Sequence, residues 1–205
     1  MSQGSGAVRL AAHGSAEVRL QQAMVALLLV FLFTLPLLEA PKNIVAGLFL
    51  AVWAVRAALT RDLGGPWTAV DTAFGLMLAS AFASGLAGYA GDLRGVTRVV
   101  LFSWVVSRSG IGPRSLRPLR AAACLGLALA IPFGLVPFLA EKKEFFELPS
   151  VGHVNQSALY LAILAAAALG WWLQGGESGP RGRTRWALGA CATLFSATLL
   201  VSASR

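Results

Sequence analysis

The chain has 205 residues, 57% of them hydrophobic and only 13% charged, with a formal net charge of +8; its mean hydropathy is +0.70 and its pI about 10.8. Apolar runs of roughly 17–25 residues, enough to cross a hydrocarbon core of about 30 Å, recur along nearly all of it, which excludes a soluble domain. The basic balance does not imply nucleic acid, because Lys and Arg lie between the apolar runs and form no basic face interleaved with aromatics.

In chain order, residues 1–22 form a polar tail with Arg9, His13 and Arg19, expected in the cytoplasm. A first apolar run follows at about Ala23–Leu38. Glu39-Ala-Pro-Lys42 closes it in place of a small-residue cleavage site, so it reads as an uncleaved span and not a signal peptide. Six more runs lie at about Asn43–Leu59, Trp67–Tyr89, Leu93–Ser107, Leu119–Ala140, Ser157–Leu173 and Trp186–Ser202. Gly- and Pro-rich punctuation such as Leu63-Gly-Gly-Pro66 and Gly110-Ile-Gly-Pro113 separates them. Lipid offers no hydrogen bonds to the backbone, so such runs must be helices. The expected fold class is all-α: a polytopic integral membrane protein of about seven transmembrane helices, with residues 23–205 as the transmembrane domain and an outward loop at 140–156.

Charge sets the orientation. With seven spans and a cytoplasmic N-terminus, Arg9, Arg19, Arg56, Arg61, Arg108, Arg114, Arg117, Arg120, Arg181, Arg183 and Arg185 fall inside, the majority of the 17 Lys and Arg. Lys42, Arg94, Arg98, Lys142, Lys143 and Arg205 fall outside. The fourth run is short, about 23 Å at 1.5 Å per residue, and its end arginines, Arg108 among them, are expected to snorkel to the headgroups. If it did not cross, the basic majority would move outside, against the positive-inside rule. The loop from Ala140 to Gln156 and the final Arg205 therefore face outward.

That loop reads Glu141-Lys-Lys-Glu-Phe-Phe-Glu-Leu-Pro-Ser-Val-Gly-His-Val-Asn-Gln156. Phe145, Phe146 and Leu148 are expected in the interface, with Glu141, Glu144 and Glu147 toward water. Gly152 permits a turn, and Asn155 or Ser157 is expected to cap the next helix, whose N-terminus suits an anion such as phosphate. His153, Asn155 and Gln156 are thus candidate binding residues; the simpler reading is a cap and a water-exposed histidine. A metal site is not expected: His13 lies on the other side and the loop carboxylates lack ligand spacing. No Ser/His/Asp arrangement can be assembled from the outward residues, and no catalytic residue is assigned.

Elsewhere simpler roles prevail. Asp71, one turn into the third run, reads as a cap or a helix–helix hydrogen bond. Ala81, Ser84, Gly85 and Gly88 read as a helix-packing stripe. Cys124 and Cys191, both inside apolar runs, read as small buried hydrophobes and not a disulfide. Residues 175–182 read as a flexible linker, without the Gly-Lys-Ser/Thr ending of a phosphate loop.

Three segments together resemble one family. Pro36-Leu-Leu-Glu-Ala-Pro-Lys-Asn-Ile44, Gly152-His-Val-Asn-Gln-Ser-Ala-Leu-Tyr-Leu161 and the closing Leu200-Val-Ser-Ala-Ser-Arg205 resemble the O-antigen ligases, within the O-antigen ligase/polymerase superfamily of bacterial membrane glycosyltransferases. The likeness runs from about Leu20 to the last residue. It implies an enzyme of the bacterial inner membrane and of lipopolysaccharide biosynthesis in the cell envelope, acting on the periplasmic side. Such an enzyme moves a glycan from undecaprenyl diphosphate to a lipid A-core sugar, with no cofactor, because the diphosphate is already a leaving group. By the same resemblance Arg205 would contact the phosphates, and His153, Asn155 and Gln156 would position glycan or diphosphate. Family members usually carry about twice as many spans, with further basic residues and a histidine proposed as catalytic in a second outward loop. The resemblance therefore leads to the expectation that this chain is an amino-terminal half, inactive alone and partnered by a second-half polypeptide. The competing reading is a non-enzymatic polytopic protein, either a transporter subunit or an assembly partner for envelope glycans.

Overall fold

The computed structural model describes residues 4–86, 90–140, 146–151, 154–173 and 182–203. Among them it shows helices and no strand: α1 (Gly4–Thr34), α2 (Glu39–Thr60), α3 (Ala69–Leu86), α4 (Ala90–Arg108), α5 (Pro113–Ala140), α6 (Val154–Leu173) and α7 (Arg183–Ala203). Five are long and apolar enough to cross a membrane: Ser15–Thr34 within α1, then α2, α3, α5, and Asn155–Leu173 within α6. The chain is thus an all-α polytopic membrane protein, as the apolar runs predict. The two helices outside that set carry charges near their ends. Asp92, Arg94, Arg98 and Arg108 lie in α4, and α7 opens with Arg183 and Arg185.

Helix ends differ from the sequence reading in ways that have local causes. The polar tail does not stand apart from the first span, because α1 runs unbroken from Gly4. Helix α5 begins at Pro113, six residues ahead of the expected Leu119. Proline suits the first helical position, where its missing N–H would have no partner anyway. At the end of α2, Arg61 takes a left-handed φ of 54°, and Gly110 after α4 does the same at 66°, the conformation that closes many helix C-termini.

The chain divides into two compact units, Met1–Leu28 with Ala46–Leu116, and Leu29–Val45 with Arg117–Arg205. In the first, α3 packs on α4. Phe49 and Trp53 of α2 meet Phe102 and Trp104 of α4 with ring centroids 5.5 and 5.7 Å apart. The expected packing stripe on α3 is only half realised: Ala81 and Gly85 are partly covered, while Ser84 is exposed and bonds back to the Ser80 carbonyl. Gly88 lies outside the described residues.

In the second unit α5 is the central element and the most buried of the five candidate spans. Its buried positions, among them Leu119, Ala123, Leu127, Ala130, Gly134 and Phe138, recur at three- and four-residue spacing. Lipid tails give helices no hydrophobic reason to associate, so close packing over small residues must hold them together. Glycine shows where that approach is closest. A Cβ at Gly126 would collide with the Phe33 backbone, and one at Gly134 would lie 2.6 Å from the Glu147 carbonyl oxygen. Leu161, Leu164 and Ala165 of α6 and Phe195 of α7 complete this core.

Candidate functional site

Residues 146–151, in the loop expected to face outward, are built differently from the amphipathic surface segment that the sequence suggests. Phe146 and Leu148 are fully buried and belong to the core of the second unit, with Phe138 and Phe146 in an edge-to-face contact at 6.2 Å. Glu147 and Pro149 are exposed and Ser150 is buried, so residues 146–150 alternate in and out like an extended chain. Gly134 makes this possible by leaving room for the 146–147 backbone against α5. The interfacial placement expected for Phe146 and Leu148 is therefore corrected; Phe145, Glu141 and Glu144 lie outside the described residues.

Helix α6 begins at Val154, so Asn155 and Ser157 fall inside its first turn and neither takes the capping position predicted for it. Asn155 and Gln156 are both exposed there. The buried Ser157 hydroxyl instead accepts the Leu148 N–H at 3.0 Å, tying the loop to the helix. His153 and Arg205 lie outside the described residues.

A residue to which the sequence reading gave no role joins this site. Lys42, in the first turn of α2, donates from Nζ to the carbonyl of Ser150. The contact brings Pro36–Ile44, one of the three segments that carry the family resemblance, against the loop two residues ahead of another, Gly152–Leu161. A cation at a helix N-terminus opposes the macrodipole, and that misfit was the available signal that Lys42 has an acceptor elsewhere. Beside it the Ser150 hydroxyl is buried without a hydrogen-bond partner among the described residues, and so is the Tyr160 hydroxyl on α6. Buried polar atoms without partners are uncommon and ask for an explanation.

A second polar constellation, in the first unit, is closed on itself. Thr68 and Asp71 make the returning half of a capping box at the start of α3, with the Asp71 carboxylate accepting the Thr68 N–H and hydroxyl, each at 2.6 Å. The same carboxylate accepts Trp104 Nε1 at 2.8 Å and Arg108 Nε at 2.6 Å, and it pairs with Arg108 Nη2. Arg108 Nη1 donates to the Gly65 carbonyl at 2.6 Å, and its guanidinium lies 5.9 Å from the Trp67 ring. Asp71 is thus both cap and helix–helix bond. Arg108 is buried and does not snorkel, because a buried carboxylate is a better partner than the headgroup region.

The connecting turn is shaped for this approach. Gly64 and Gly65 adopt φ of 110° and 97°, and a Cβ at Gly64 would strike the Arg108 carbonyl. Asp62 Oδ1 accepts the N–H groups of both glycines, at 2.9 and 2.8 Å, and the Gly65 bond first, then the Gly64 bond, holds its carboxyl below its ordinary pKa.

Cys124 and Cys191, 67 positions apart, meet in the second unit with their thiols in hydrogen-bonding contact, and both are free. Among the described residues no cluster of His, Cys, Asp and Glu is arranged to hold a metal ion. No family model, curated protein or solved structure matches the chain, so geometry and local motifs carry the functional argument.

Proposed function

We propose that this chain is part of a membrane glycosyltransferase of the O-antigen ligase type. It would lie in the bacterial inner membrane with a cytoplasmic N-terminus and the hinge facing the periplasm. The observation that carries the reading is the Lys42–Ser150 contact. It ties the Pro36–Ile44 segment of the resemblance to the loop that leads into the Gly152–Leu161 segment, close in sequence to exposed Asn155 and Gln156 and at the residue whose hydroxyl lacks a partner among the described residues. Orientation rests on α4 and α7 crossing together with the five apolar helices, a seven-span arrangement that the distribution of Lys and Arg supports.

In the proposed reaction a hydroxyl of a lipid A-core sugar attacks the anomeric carbon of the glycan. The bond from that carbon to the diphosphate breaks, undecaprenyl diphosphate leaves, and the hydroxyl proton passes to a base that no residue of this chain is assigned to be. Arg205 would clamp the diphosphate with two parallel charge-assisted hydrogen bonds and stabilise the charge that develops on it. His153, Asn155 and Gln156 would position the diphosphate or the first sugar, and Lys42 would hold the hinge in place.

Binding tests this directly. The purified chain in zwitterionic nanodiscs is expected to bind undecaprenyl diphosphate saturably and to bind undecaprenol, which lacks the diphosphate, far more weakly. Arg205→Ala and His153→Ala should each reduce the affinity. Equal binding of the two lipids, or unchanged affinity in both variants, would remove the reading.

A further inference from the structure

The end of the second unit opposite the hinge carries a different chemistry. There α5 and α7 begin and α6 ends, so Arg117 and Arg120, Trp171 and Trp172, and Arg183 and Arg185 come to one level. Arg120 stacks 4.8 Å from the Trp171 ring and Arg185 5.7 Å from the Trp172 ring. Arg117 Nη2 lies 3.4 Å from the Thr184 hydroxyl on α7. Stacking orders these guanidinium planes and leaves their N–H edges free. Among the described residues none of the four arginines pairs with a carboxylate. The only described acid in the unit's 117–205 segment is Glu147, at the other end. The N-terminus of α7 adds the positive end of its dipole to the same place.

Next to Arg185, at this end of the unit, an apolar groove runs along the α6–α7 seam. It encloses about 660 Å³ and is lined by Leu169, Trp172, Trp186, Gly189, Thr193 and Leu200, a size within the roughly 300–1,000 Å³ of ligand pockets generally. At its basic end it meets a smaller cavity of about 330 Å³ formed by Trp172, Gly182, Arg185 and Trp186. The same two tryptophans thus line both the apolar channel and the pocket that holds Arg185. Trp186 is 78% exposed, which suits an indole at the boundary between lipid tails and headgroups.

We infer that this groove is a binding site for an anionic phospholipid. One acyl chain lies along the α6–α7 seam and the phosphate sits among Arg117, Arg183 and Arg185. The apolar channel selects a lipid over free phosphate, and the clustered cations select a net negative headgroup over a zwitterionic one. This inference is independent of the glycosyltransferase reading, since it concerns the opposite end of the unit and a lipid that is not consumed.

Native mass spectrometry of the purified chain, offered equal phosphatidylglycerol and phosphatidylcholine, provides the test. Phosphatidylglycerol adducts are expected to dominate, and their excess should fall as salt rises and screens the arginines. A surface charge is worth about 1 kcal/mol toward an anionic lipid, so each arginine removed should cost about fivefold in that preference. Arg117→Gln with Arg183→Gln and Arg185→Gln should abolish it, while Thr193→Phe, which fills the channel, should lower binding of both lipids. Inorganic phosphate at millimolar concentration should not displace the lipid; displacement would make the site one for a free anion. Equal uptake of the two lipids by the unaltered chain, a preference indifferent to salt, or a preference that survives the triple substitution would each overturn the inference.

Discussion

The two polar constellations of this protein are made of similar residues and differ in completion. Around Asp71 the acceptors are occupied: Thr68, Trp104 and Arg108 fill the carboxylate, and Gly65 takes a further guanidinium N–H. Around Lys42 and Ser150 one hydrogen bond is made, one buried hydroxyl lacks a partner among the described residues, and Asn155 and Gln156 face solvent. A saturated network has no capacity left for a ligand and serves to join helices. An unsaturated one, held by a rigid core on one side and open on the other, is where a ligand can be accommodated. On this criterion Asp71 serves to join helices, and the proposed function rests on the hinge.

The strongest way to break the comparison is to open the closed network. Removing the guanidinium with Arg108→Met leaves Asp71 buried and unpaired, at an expected cost of about 3–5 kcal/mol. The effect should appear as a large fall in the unfolding midpoint of the detergent-solubilised protein. Adding Asp71→Leu to Arg108→Met should recover much of the loss, because no charge is then stranded. A small loss in the single variant would show that the network is less closed than its geometry.

Gly134→Ala attacks the support of the open site instead. The added methyl would stand 2.6 Å from the Glu147 carbonyl oxygen and 3.0 Å from the Phe146 ring, and overpacking of this kind costs about 1–3 kcal/mol. The 146–150 backbone has to move outward, and Lys42 and Ser157 are the residues that hold it. Affinity for undecaprenyl diphosphate should therefore fall with stability. Lost stability with full affinity would uncouple the loop from the proposed site.

These two sites also differ in how far the sequence exposes them. The helices were legible because an apolar run in lipid has one way to satisfy its backbone. Asp71 was legible as a cap or a helix–helix bond because an acid one turn into an apolar run needs a partner close by. Arg108, 37 positions beyond Asp71, was not, since an arginine at a helix end reads equally as a snorkelling cation. Phe146 and Leu148 misled for a related reason. Their alternation with Glu147 fits an interfacial segment as well as a buried extended one, and what decides is Gly134, twelve residues earlier on another element. Cys124 and Cys191 read correctly as unbridged, but nothing local announces that their thiols touch.

A milder test separates holding from binding. Lys42→Met deletes the bond to the Ser150 carbonyl while keeping the aliphatic stem. A partly buried charge-assisted hydrogen bond is worth about 1.5 kcal/mol at the low end of its range, so the unfolding midpoint should drop modestly. Because the hinge loses its tether, diphosphate affinity should drop about thirtyfold or more, beyond the roughly 13-fold to which about 1.5 kcal/mol corresponds. Proportional losses in the two measurements would reduce Lys42 to a packing residue.

Asn155→Ala should have the smallest effect on folding and gives the cleanest division between the two regions. Its side chain is exposed in the first turn of α6 and does not occupy the cap, so the change in stability should stay within about 0.5 kcal/mol. Diphosphate affinity should nevertheless fall several-fold if the first turn of α6 faces the ligand. The same exposed turn can report its own side of the membrane. With Cys124 and Cys191 replaced by alanine, Gln156→Cys should react with a membrane-impermeant thiol reagent in cells whose outer membrane alone is permeabilised. Gln156 suits this better than Ser150, which is buried. Labelling confined to lysed cells would put the hinge in the cytoplasm, where no lipid-linked glycan awaits ligation, and an unlabelled but folded variant would mean that the turn is not open to water at all. The second result would leave the hinge as closed as the Asp71 network.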